Sequence, residues 1–168
     1  WTTKDLTEMA MLAALVCTLT FTVKIPVPAT NGYTHLGDCM IFIGVLFLGW
    51  RKAAPAAALG AALSDLLGGY VHWILPTLVI KCAMVVVMGL ALEKLFHSWQ
   101  HGWIIAADLG GALQVVCYTL VKVFYLGGPA AALATVPNIV IQTTAAIVIT
   151  AVLVTALKRT AAGSKLLV

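Results

Sequence analysis

Six stretches of the chain are almost wholly apolar, running from about Leu6 to Val23, Leu36 to Trp50, Ala54 to Leu67, Pro76 to Phe96, Trp103 to Leu126 and Val136 to Leu157. Runs of this kind predict membrane helices. The segments between them carry helix-stopping chemistry: Pro26 and Pro28 with Asn31-Gly32, then Arg51-Lys52 ahead of Pro55, Gly68-Gly69, His101-Gly102, and Gly127-Gly128-Pro129. The second and third runs are short for a full crossing, so they either extend into their loops or line a polar cavity instead of lipid. The pattern predicts an all-α integral membrane protein, a bundle of six transmembrane helices.

Composition narrows the class further. Hydrophobic residues make up 62% of 168 positions, charged residues 10%, and the mean hydropathy is +1.04, well outside the range of a soluble globular domain. Six helices of about 20 residues each would use the whole chain, so one membrane domain is expected over residues 1–168. No internal repeat, low-complexity tract, flexible linker or signal-peptide cleavage pattern stands out.

The net charge of +4 and the pI near 9.0 do not point to nucleic acid, because the basic residues form no stripe with interleaved aromatics. They sit at the ends of the runs. With six crossings, Lys4, Arg51, Lys52, Lys94, Lys158, Arg159 and Lys165 fall on one side and only Lys24 lies near the other. By the positive-inside rule the first side is cytoplasmic. Both termini are then cytoplasmic, and Ile25 to His35, Gly68 to Leu75 and Gly127 to Thr135 are outer loops.

Among the ionisable residues within or at the ends of the apolar runs, Asp38, Asp65, Lys81 and Lys122 stand out. A charge in hydrocarbon costs several kcal/mol unless it meets a partner or a polar cavity, which makes each a candidate for function. Gln114, Tyr118 and Lys122 follow at i, i+4 and i+8 and so share one helix face, and Asn138 and Gln142 repeat the i, i+4 spacing. Depth assignment brings these groups from five runs to one level on the outer side, as a ligand pocket requires. The alternative is structural: ion pairs of Lys81 and Lys122 with Asp65 and Asp38, interhelical amide bonds, and Tyr118 as an interfacial anchor.

The stretch from Asn31 through Tyr33 and His35 to Asp38 reads as a lid over such a pocket, and His72 and Trp73 in the next outer loop could add a hydrogen bond and a stacking plane. Trp73 alone would equally suit a membrane-interface anchor. His97 and His101 have spacing suited to a metal but no carboxylate cluster beside them, and Cys17, Cys39, Cys82 and Cys117 show no CxxC spacing. No metal site and no disulfide framework is expected. Small residues recur at four-residue spacing, in Ala10 and Ala14, in Ala53, Ala57 and Ala61, and in Ala54, Ala58 and Ala62. Those of the third run suit packing within the bundle; those of the first suit packing or a docking surface for another membrane protein.

No GxxxxGK[ST] loop is present, so the chain cannot hydrolyse ATP by that route, and no HExxH, GxSxG or Ser-His-Asp arrangement suggests a hydrolase. Uphill movement of a solute would draw its energy from a partner. A self-sufficient small-solute carrier or channel, or a membrane-embedded enzyme, are the other classes open at this point.

Taken together, the six short runs, Ala10 and Ala14, the loop ending in Leu36-Gly37-Asp38, the segment GAALSDLLGGY from Gly60 to Tyr70, and Pro76 to Lys81 resemble the S components of energy-coupling factor (ECF) vitamin transporters. Within that family the Leu-Gly-Asp and Ser-Asp-Leu segments, with a Lys in the fourth helix, look most like the hydroxymethylpyrimidine or pyridoxine group. The resemblance implies a non-enzymatic subunit of a prokaryotic plasma-membrane importer that captures a small-molecule vitamin from outside. It further implies association with a T component and two ABC ATPases that use ATP, with no cofactor in this chain. Ala10 and Ala14 correspond to the small-residue pair that contacts the T component.

Overall fold

In a computed structural model, residues 1–27, 32–96, 99, 101–125 and 128–158 are described, with backbone alone at 24–27, 32–34 and 158. Helix α1 (Thr3–Thr22) leads into a short hairpin, β1 (Lys24–Val27) and β2 (Gly32–His35), and then into α2 (Gly37–Leu48) and α3 (Trp50–Leu67). A 3-10 turn at Val71–Trp73 opens α4 (Ile74–Lys94), which α5 (Gly102–Tyr125), the single-turn α6 (Pro129–Leu133) and α7 (Val136–Lys158) follow. Among the described residues, four helical segments are long and apolar enough to cross a membrane: Thr3–Thr22, Val71–Lys94, Gly102–Tyr125 and Pro129–Leu157. The protein is a helical membrane protein.

The helices meet the expectation of an all-α bundle, and one connection adds a small hairpin to it. The connection between α1 and α2 contains two antiparallel strands, with Lys24 opposite His35 and Val27 opposite Gly32. Pro26 lacks the donor that an interior strand position would use, and a two-stranded ribbon has only edges, so proline is tolerated there.

Helix α1 starts earlier than its apolar run because Thr2 and Asp5 form a reciprocal cap: the Thr2 amide donates to Asp5 Oδ2 at 2.8 Å and the Asp5 amide donates to Thr2 Oγ1 at 3.3 Å. Helix α3 likewise begins at Trp50 and runs through Pro55. Proline that close to a helix start removes a single backbone bond, to the Arg51 carbonyl, and the rest of the helix continues. Gly49 alone joins α2 to α3, at φ 75°, a left-handed conformation that reverses the chain in one residue.

Helix α2 has 12 residues, about 18 Å at 1.5 Å per residue, short of the roughly 30 Å hydrocarbon core. It does not face lipid along its length, since Asp38, Cys39, Ile41, Phe42, Val45 and Leu46 are all buried. Both alanine stripes of α3, Ala53, Ala57 and Ala61 and Ala54, Ala58 and Ala62, are buried. They allow α3 to lie directly on α1 and α4. A Cβ at Gly60 would sit 2.4 Å from the Ala13 carbonyl oxygen, so that close approach demands glycine. Ala10 and Ala14 are exposed.

Charged side chains gather at one end of the bundle. Lys52 Nζ reaches Asp5 Oδ1 at 2.5 Å and Glu8 Oε2 at 3.2 Å, joining α3 to α1, while Arg51 lies 3.8 Å from Glu93 on α4. This is the basic end. The hairpin, the start of α2 and the aromatic turn before α4 mark the opposite end.

Candidate functional site

The site begins with the antiparallel pairing of α4 and α5. Thr77 and Lys81 are one turn apart on α4, Gln114 and Tyr118 one turn apart on α5, and the two faces meet: Lys81 Nζ donates to Gln114 Oε1 at 2.5 Å and Tyr118 Oη donates to Thr77 Oγ1 at 3.2 Å. The same register carries Tyr125 to the turn before α4, where its hydroxyl donates to the His72 carbonyl at 3.1 Å. A ladder of polar contacts thus climbs toward the hairpin end.

Asp38 enters from the first turn of α2, where the helix dipole favours a carboxylate. It pairs with Lys81 through Oδ1. Its Oδ2 accepts from Gln114 Nε2 at 3.0 Å and from Gln142 Nε2 of α7 at 2.8 Å. Gln114 Nε2 also lies 3.4 Å from Thr143 Oγ1, and Gln142 Nε2 lies 3.3 Å from His35 Nε2 at the end of β2. Asp38, Lys81 and Gln114 are each 0% exposed. A lysine and an aspartate so deep are tolerable because each is paired and the remaining lone pairs and protons go to amides.

An aromatic cluster lies toward the hairpin end. Lys81 Nζ is 5.8 Å from the Tyr118 ring centroid, Trp73 is 6.0 Å from Tyr118 and 5.2 Å from Tyr125, and His72 is 5.6 Å from Tyr125. The rings are tilted to one another. The arrangement combines hydrogen-bonding amides and one buried ion pair with neighbouring aromatic rings.

Of the residues expected from the sequence, His35, Asp38, Lys81, Gln114 and Gln142 meet in one network, with Tyr118, His72 and Trp73 beside it. The structural alternative paired Lys81 with Asp65; Lys81 instead bonds Asp38. Asp65 is buried on α3 next to Ser64, and its carbonyl accepts from the Tyr70 amide at 2.9 Å. Lys122, expected in the pocket with a carboxylate pair as the alternative, forms no ion pair among the described residues and is half-buried near the end of α5. Asn138 is half-buried one turn before Gln142. Asn31 lies outside the described residues, as does His97, and of Tyr33 only the backbone is described.

Thr77, Thr143 and Tyr125 also contact these residues and lie beyond those expected from the sequence. Thr77 precedes Lys81 by four residues, a spacing that would have flagged it; Thr143 looks like any β-branched packing residue. Two further buried hydroxyls, Thr20 Oγ1 and Ser64 Oγ, have no hydrogen-bond partner among the described residues.

A family model described as ECF-type riboflavin transporter, S component, matches residues 1–159. A protein of Pyrococcus woesei described as "Uncharacterized protein in gap 3'region" is 35% identical over 135 residues, spanning 80% of this chain and 88% of that protein.

Proposed function

Because the chain belongs to the family of ECF-type riboflavin transporter S components, and is therefore of the class that binds substrate for an ECF vitamin transporter, we propose that it captures a flat, polar nitrogen heterocycle at the hairpin end of the bundle. The observation that carries this reading is the buried Asp38, Lys81, Gln114 and Gln142 network beneath the Trp73, Tyr118 and Tyr125 rings. Gln114 and Gln142 each offer a donor and an acceptor, so a ligand edge can replace their bonds without separating the ion pair. A neutral or zwitterionic ligand suits such a site better than a highly charged one.

In this reading the chain crosses a prokaryotic plasma membrane six times, with both termini cytoplasmic. Lys4, Arg51, Lys52 and Lys94 at the basic end support that orientation, and the hairpin end then faces out. The family implies a T component and ATPases as partners. Two ABC ATPases would supply ATP hydrolysis, for which this chain has no phosphate-binding loop.

Riboflavin, named in the family's description, and hydroxymethylpyrimidine or pyridoxine, favoured by the sequence segments, all present a flat ring with a polar edge. Calorimetric titration of the purified chain with each, without ATP, tests the proposal and separates them. Saturable binding of one of the three is expected. A folded, monodisperse protein that binds none would overturn the reading.

A further inference from the structure

Asp108 lies on the outward face of α5. It is exposed, in line with Ile105, Leu109, Ala112, Val116 and Leu120, all of them apolar and exposed. Among the described residues it makes no ion pair or hydrogen bond. Lys94 and His101, at the same end of the bundle, do not reach it.

Its depth makes this costly. Helix α5 has 24 residues, about 36 Å, against a hydrocarbon core of roughly 30 Å, so about 3 Å overhangs at each end. Asp108 is six residues in from Gly102, roughly 9 Å along the axis, and so lies about 6 Å below the hydrocarbon surface. Lys122, three residues from the other end of the same helix, has a long stem that can carry its ammonium out to the interface. Aspartate has no such reach. Intramembrane charges almost always face protein, a polar cavity or a partner.

We infer that this stripe of α5 is an interaction surface for a transmembrane helix carrying an arginine at matching depth, with Asp108 as its acceptor. Charge complementarity selects the occupant. A second copy of this chain packed symmetrically would bring two Asp108 carboxylates together, which like-charge repulsion opposes. A guanidinium supplies two parallel donors to a carboxylate and is weakly hydrated, so it loses least on entering lipid. Ala112, one turn on, is small enough for a neighbouring backbone to come close. This surface is distinct from the α1 face that bears Ala10 and Ala14.

The test uses the full chain, donor-labelled in phosphatidylcholine vesicles, with acceptor-labelled transmembrane peptides of leucine that do or do not carry one arginine six residues from the end. Energy transfer should show the arginine peptide associating about 5- to 30-fold more tightly than the all-leucine peptide, as interhelical polar contacts in lipid allow. Asp108→Leu, which places an apolar side chain in lipid and leaves the bundle untouched, should erase that preference. Equal association of the two peptides, or a preference that survives Asp108→Leu, would overturn the inference. So would an Asp108-dependent association between two copies of the chain. If added phosphatidylethanolamine abolishes the preference, the occupant is a headgroup amine and the protein surface is excluded.

Discussion

Lys81 is held by two acceptors of unlike character, the Asp38 carboxylate and the Gln114 amide oxygen. Removing its charge leaves Asp38 buried and uncompensated, which typically costs about 3 to 5 kcal/mol, whereas replacing both members of a buried pair with apolar groups is often near neutral. Lys81→Met is therefore expected to lower the unfolding midpoint in detergent strongly, and Asp38→Leu combined with Lys81→Met to restore most of it. Vitamin binding should be lost in both. A double variant that regains stability and also binds normally would show the pair to be purely structural. Gln142→Leu tests the amides more gently: it removes bonds to Asp38 and His35 and should weaken binding by about 1 to 3 kcal/mol, roughly 5- to 150-fold in Kd by calorimetry. That Asp38 and Lys81 are candidates is legible in the sequence, because charge is rare in apolar runs. That they meet each other was not, since residues 43 apart in sequence find their register only through helix packing.

At the scale of elements, hydropathy locates helices because lipid requires every backbone group to be bonded within its own segment. It says less about where a cap or a proline moves a boundary, as Thr2 and Pro55 show. The sequence marks the hairpin region as a lid segment, without strands. Four-residue strands with a proline at position 26 carry almost no periodic signal. The two faces of α1 separate cleanly: Met9, Leu12, Val16 and Thr20 are buried, while Ala10 and Ala14 are exposed. Ala14→Trp should leave vitamin binding by the isolated chain nearly unchanged and block assembly with the T component, measured by co-purification beside a binding titration. Normal assembly would place the docking surface elsewhere. Gly60→Leu should behave oppositely, since the added Cβ meets the Ala13 carbonyl; the α1 and α3 contact opens and folding itself suffers, read as a lower unfolding midpoint.

For the whole molecule, separation of charge sets the logic. One end carries Lys4, Arg51, Lys52 and Lys94, with Asp5, Glu8 and Glu93 as partners; the other carries the amide and aromatic network. The basic end is legible in the sequence once six crossings are assumed; of the polar residues expected at one depth, His35, Asp38, Lys81, Gln114 and Gln142 meet in one network. A site at one end, in a sequence with no phosphate-binding loop, gives the chain no ATP hydrolysis by that route to drive a solute uphill. Reconstituted alone in sealed vesicles, the protein should bind its vitamin with and without ATP and accumulate none. With a T component and the ATPases present, accumulation should appear and should depend on ATP. Accumulation of labelled vitamin above equilibrium by the chain alone, driven by an ion gradient, would make it a self-sufficient carrier. The Asp38 and Lys81 pair would then have to be reconsidered as part of an ion pathway.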